Sequence, residues 1–257
     1  MDGRASSLTI TDKIPYLLDA GIKPYFYSAI TGIKDTRFPH HQFLAWGPAA
    51  FRFDFRHWIA NQYGRGLFYK VSTGLVSLLL APFIALEKFF LGYSSQWSWA
   101  MPAYVHGLKL IREGKVDLIY STGGAWSAHL AGLWLKKKTG LPWIVEIHDP
   151  LVIRKDPNDP GFDKPKNRDA QFRQYLEKQI CKYADLAWWF TEGALHYAKV
   201  RNPNLNTPHN ARGFVLTPGA EPPGGLDANQ THRYTEQLNL CHFGSLANDR
   251  SISTILN

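Results

Sequence analysis

Apolar positions along the chain follow two alternating periods. Short apolar runs read as strands: IKPYFYSAI (22–30), KVDLIYST (115–122), and the buried PWIVEIHDP (142–150) and DLAWWFT (185–191), with GFVLTPG (213–219) a candidate for a further one. Between them lie stretches with helical spacing. IPYLLDAG reads as a helix end stopped by Gly21, and two further helices are expected over about 67–91 and 97–113. GGAWSAHLAGLWLKKKTG reads as a Gly-rich turn and helix, and EGALHYAKV as another helix. AQFRQYLEKQICKYA places Phe172, Leu176, Ile180 and Tyr183 on one helical face. The segment from Thr31 to Arg65 is aromatic and turn-rich and predicts no regular element. RKDPNDPGFDKPKNRD (154–169) is polar and Pro-rich, hence a loop.

Strands alternating with helices imply βαβ units and a Rossmann-like, doubly wound parallel sheet, so the fold class is α/β. The expected organisation is a domain over 1–218, a Pro- and Gly-rich linker over 219–236, and the start of a second domain over 237–257. The last segment restarts a strand, a Gly turn and a helix and then stops, which a lone βα unit cannot survive alone. The chain is therefore expected to be part of a longer two-domain protein, clipped also at its polar start, and to lack turnover by itself.

Composition sharpens the picture in three ways. With 45% hydrophobic and 14% aromatic residues, 257 residues can build a packed core. Lys and Arg outnumber Asp and Glu by 29 to 21, a formal charge of +8 that favours anionic partners such as phosphates, nucleotides or a membrane surface. Cys181 and Cys241, without C-x-x-C spacing, make neither a disulfide framework nor a zinc site, which suits a reducing cytosol. No apolar leader opens the chain. The longest uncharged stretch, VSTGLVSLLLAPFIAL (71–86), is broken by Gly74 and Pro82 and falls short of the roughly 18–20 residues a bilayer span needs. With Lys70 before it and EKFF after it, it fits either a helix on a membrane surface or a core helix with a bend.

Chemistry concentrates at three places. In STGGAW, Gly123 and Gly124 allow backbone N–H groups to approach an anion at a helix start, although Gly-Gly also serves as a plain tight turn. The run of Trp143, Ile144, Val145 and Ile147 ends abruptly in His148, Asp149 and Pro150, at the strand end where open α/β sheets carry their ligands. Alternation puts Glu146 and His148 on one face and Asp149 on the other, and a histidine at a strand end is a candidate general base because free imidazole titrates near neutrality. A metal at this pair lacks a second cluster at ligand spacing. In HFGSLANDR, Gly244 at a strand end and Arg250 opening a helix suit a diphosphate. KKK (136–138) reads as a solvated helix end, and FRFDFRHW (51–58) as either core or an acceptor surface.

The span 116–150 resembles the N-terminal domain of glycosyltransferase family 4: a strand reading D-x-I-x-S-T, a small-residue loop, a helix ending K-K-x-x-G-x-P-W, and a strand closing on an Asp-Pro motif. YLEKQICKYADLAWWFTEGA is similar to the family's E-x-x-x-x-x-x-A-D helix and its following strand, and NLCHFGSLANDRS to the opening of its C-terminal domain. The resemblance covers about 105–257. It implies the N-terminal half of a GT-B enzyme, with acceptor on this half and nucleotide-sugar on the other. It implies His148 facing the donor sugar with Asp149 beside it as catalytic residues. Ser121, Thr122, Gly123 and Gly124 then shape an acceptor-side loop, and Gly244 and Arg250 hold the donor diphosphate. Ser245 stands where the family has Arg, which removes one cation of the usual basic pair. The implied reaction is retaining sugar transfer to a lipid-linked or polysaccharide acceptor, with the nucleotide-sugar as co-substrate and no cofactor, metal or nucleic-acid partner. The implied place is the cytoplasm, peripheral on the inner membrane face through 71–91. A non-catalytic acceptor- or membrane-binding module and a metal-dependent hydrolase using His148 and Asp149 are the competing readings.

Overall fold

The computed structural model describes residues 5–32, 34–92, 95–123, 125–152, 165 and 167–219, all within one compact unit, Met1–Ala220. Most of the 154–169 loop, Gly124, the linker beyond Gly219, and Gly244 and Arg250 lie outside the described residues.

The elements run α1 (Ala5–Asp19), β1 (Phe26–Ala29), β2 (His40–Phe43), α2 (Pro48–Tyr63), α3 (Leu67–Leu91), a 3-10 turn (Ser95–Trp99) and α4 (Ala100–Arg112). Then follow β3 (Ile119–Gly123), α5 (Trp126–Thr139), β4 (Trp143–Ile147), α6 (Arg168–Tyr183), β5 (Leu186–Trp189), α7 (Glu192–Arg201) and β6 (Arg212–Val215). Every strand pair is parallel, β1 with β2 in one sheet and β3-β4-β5-β6 in the other. The α/β, Rossmann-like expectation is met.

The four-stranded sheet runs in sequence order with α5, α6 and α7 as its crossovers. Right-handed crossovers in that order place all three on one face. Trp126 of α5 against Phe172 of α6, and Arg201 of α7 paired with Glu177 of α6, agree with that placement. That face carries the main core, in which Trp143, Val145, Ile147, Ala187 and Trp189 are essentially fully buried. Gly132 allows α5 to approach closely: a Cβ there would lie 2.8 Å from Trp143 Cε2. At the amino edge of the sheet, the Asp185 carboxylate accepts from the Trp143 backbone N–H at 2.7 Å and from Lys136 Nζ at 2.8 Å. The Ala-Asp motif is thus a joint that locks α6 and β5 onto β4. Lys137 donates to Gln179 Oε1 at 2.6 Å, so the Lys run ties α5 to its neighbour as well as facing water.

The segment from Thr31 to Arg65 is a correction. It contains β2 and all of α2, where the sequence pattern predicts turns. β2 hides because HHQF is polar, and α2 because Arg52, Asp54, Arg56 and His57 interrupt its apolar period. Its ends were readable: Pro48 opens the helix, and Gly64, at φ +70°, closes it.

The helix expected over about 67–91 forms with those bounds, and the correction at 71–86 concerns only the expected break at Gly74 and Pro82. The stretch belongs to one 25-residue helix that continues through Gly74 and Pro82. Together, α2 and α3 form an antiparallel hairpin. Its base is tied by the Ala49 N–H donating to Glu87 Oε2 (2.9 Å), its middle by Arg56 Nη2 to Ser77 Oγ (3.3 Å), and its tip by the Tyr63 and Phe68 rings (5.0 Å). Only Thr73 and Ile84 of α3 are buried, so the core-helix reading fails.

Candidate functional site

In a strand the side chains alternate between faces, so Tyr120, Thr122, Glu146 and Trp188 share the face of the sheet opposite the main core. α1 covers part of that face with Ile14 buried, and it sends in Lys13. The parallel register aligns Gly123, Ile147 and Trp189 at the carboxyl edge, so His148 and Phe190, one residue further, emerge side by side. Their rings stack with centroids 4.5 Å apart.

At the centre stands Glu146, whose side chain is 0% exposed. Burial alone pushes such a carboxyl up. Here hydrogen bonds from His148, Lys13, Thr122 and Tyr120 more than offset it, and hold Glu146 well below the usual carboxylate range. Lys13 Nζ and the Tyr120 hydroxyl both donate to it directly, and Thr122 Oγ1 donates to Oε2 at 2.6 Å. Burial, reinforced by this carboxylate, raises the Tyr120 phenol, so Tyr120 stays a neutral donor.

A proton count then fixes the tautomer of His148. Thr122 has one hydroxyl proton, and an ionised carboxylate can only accept, so that proton goes to Glu146. Thr122 Oγ1 lies 3.1 Å from His148 Nε2 and must accept from it. Nε2 therefore carries hydrogen, and it also points at Glu146 Oε1, 3.4 Å away. Neutral His148 consequently presents Nδ1 as its basic nitrogen. Nδ1 has no hydrogen-bond partner among the described residues. The imidazole is well sheltered, its side chain 6% exposed, whereas Asp149 next to it stands in solvent.

The other predicted positions divide. Thr122 joins the His148 cluster. Ser121 turns the opposite way into the core, accepting from Trp143 Nε1 at 2.9 Å and lying 3.0 Å from His129 Nδ1. Both belong to β3 rather than to a loop, because the strand continues to Gly123. Gly123 has φ +112°, a conformation that favours glycine, just before α5 begins. His129, deep in α5, is lowered to about 4 by burial, with the Gly123 backbone opposing. Among the described residues no group of three or more His, Cys, Asp or Glu could hold a metal ion, so the hydrolase reading gains no support from donor geometry.

Sequence reasoning missed Lys13, Tyr120 and Phe190. The first sits 133 positions from its partner and carries no local signal. The other two were accessible, Tyr120 from alternation with Thr122 and Phe190 from strand-end register with His148.

The model of the glycosyl transferase 4-like domain matches residues 36–200. The chain belongs to this family. The match includes β2 through α7 apart from the last residue, Arg201, and so it contains both Glu146 and His148. No curated protein matches the chain. As a glycosyl transferase 4-like domain, the chain belongs to a glycosyltransferase, which in general joins a sugar donor to an acceptor.

Proposed function

We propose that the protein transfers a sugar from a nucleotide-sugar to a lipid-linked or polysaccharide acceptor, with retention at the anomeric carbon and without a metal. The observation that carries this reading is the pinned tautomer of His148, whose Nε2 is held by Thr122 and Glu146 while Nδ1 is left for a ligand. Nδ1 then accepts a hydrogen bond from a donor-sugar hydroxyl and orients the ring. Phe190 fixes the plane of the imidazole, and exposed Asp149 stands beside it for a second sugar hydroxyl. Charge developing on the leaving diphosphate is met by cationic side chains and helix N-termini.

The acceptor side is best matched by a concavity of about 360 Å³ lined by the segment after β1, by β2 and by α2. His41, Gln42, Asn61 and Gln62 provide hydrogen-bonding groups there, and Trp58 an aromatic surface, a combination suited to a saccharide. The site operates in the cytoplasm, at the inner membrane face.

The test is transfer of radiolabelled sugar from a nucleotide-sugar into an organic-extractable or polymer fraction. Transfer is expected to persist with a metal chelator, and His148→Ala is expected to lower it about a hundredfold or more. Absence of transfer, with tight divalent-metal binding that is lost in His148→Ala, would favour the hydrolase reading instead.

A further inference from the structure

α3 shows its broadest apolar face to the outside of the domain. A helix on a water-soluble domain buries its apolar stripe and shows water its polar one. The sheltered side of α3 buries Ile84 beside Thr73 and also holds hydroxyls and a carboxylate. Thr73 bonds back to the Tyr69 carbonyl at 2.7 Å, Ser77 receives Arg56, and Glu87 accepts from the Ala49 N–H and from Trp97 Nε1 (3.1 Å). The outward stripe carries Leu67, Phe68, Leu78, Leu79, Phe83 and Phe89, with Leu78 73% and Phe89 76% exposed. Only 6% of the most apolar window of this helix is buried. So large a contiguous apolar face marks an interaction surface.

Charge selects the occupant. Both carboxylates of the α2–α3 hairpin are turned inward, since Asp54 is buried and accepts from the Ala45 N–H at 2.8 Å and Glu87 is engaged as above. The exposed charges bracketing the apolar stripe are Arg65 and Lys70 near the tip and Lys88 near the base. What faces outward is therefore hydrocarbon framed by cations, which complements acyl chains beneath anionic headgroups. Geometry selects the orientation. At about 37 Å, α3 is long enough to cross a bilayer. Yet α2 is paired with it from base to tip, and crossing would carry Arg52, Asp54 and Arg56 into the acyl layer, where such groups are costly.

We propose that α3 lies in the plane of an anionic lipid bilayer, its outward stripe within the acyl chains and Arg65, Lys70 and Lys88 on lipid phosphates. This deepens the membrane-face placement proposed above and does not depend on sugar transfer.

Flotation of the whole chain with phosphatidylglycerol vesicles tests it. The chain is expected to float, to resist stripping by high salt, and to float less with purely phosphatidylcholine vesicles. The double variant Leu78→Asp/Phe83→Asp is expected to lose about tenfold or more in partitioning while keeping its helical circular dichroism and melting temperature, because both positions already face outward. Leu78→Met should partition like the parent, and Lys70→Glu/Lys88→Glu should lose the preference for anionic lipid. A chain that stays at the bottom of the gradient overturns the proposal. So does one that salt strips completely, or one whose α3 face proves to join two copies, seen as a dimer in solution that Leu78→Asp/Phe83→Asp splits. Flotation needs no nucleotide-sugar. A chain that does not float but transfers sugar refutes this proposal alone, and one that floats but never transfers refutes only the reaction.

Discussion

Thr122 does two tasks with one hydroxyl, and its replacement separates them from mere packing. Thr122→Val keeps the shape but removes the proton given to Glu146 and the oxygen that accepts from His148 Nε2. The imidazole is then free to turn or to change tautomer. Transfer should fall about tenfold to a hundredfold, mostly in kcat, with donor affinity little changed, since misplacing a reacting group costs that order. Thr122→Ser, which restores the hydroxyl, should recover most of the loss. A Ser variant as slow as the Val variant would show that the methyl group, and not the proton, matters. Alternation alone made the Glu146 and His148 pairing legible. It left Lys13 invisible, because no local pattern announces that a lysine from the first helix will reach a carboxylate so far along the chain.

Among elements, legibility followed apolar contrast. β3, β4, β5 and the helices between them were readable because β4 and β5 are rich in apolar residues and α5 stops at Gly140. β2 and α2 were not, since their polar residues serve neighbours that the sequence does not name: His40 hydrogen-bonds Ser28 at 2.8 Å, and Asp54 caps the Ala45 N–H. The contact of α5 with β4 was equally silent, because it depends on the absence of a side chain at Gly132. Gly132→Ala should destabilise the domain. Crowding a rigid, buried Trp143 costs about 1–3 kcal/mol, while the better helix propensity of Ala returns up to about 1 kcal/mol. A net melting-point drop of a few degrees is expected, and Trp143→Phe in the same background should recover part of it by opening space. An unchanged melting point would mean that α5 can slide away from the sheet at no cost.

For the whole domain, the buried ionisable groups define a window of pH. His129, with a folded pKa of about 4 against an ordinary 6.5, is refused a proton that the unfolded chain accepts. Between those two values the unfolded state binds more protons, so stability rises with pH and falls on acidification, by about 3 kcal/mol over the interval. Glu146 acts in the same direction but lower. Held below its ordinary 4.5, it contributes stability that is present above that value and lost as acid titrates it. At the other end, burial pushes the Cys181 thiol from 9.0 up to about 12, so the unfolded chain loses that proton first and stability declines above pH 9. A plateau in melting temperature between about pH 6.5 and 9 is therefore expected, with its acid shoulder set by His129. His129→Asn retains a polar atom for Ser121 in place of Nδ1 but cannot titrate, and it should flatten the slope between pH 6.5 and 4 by about one proton. Were the parent and variant slopes identical there, the shoulder would belong to other groups and the packing of α5 against β3 would not be what excludes that proton.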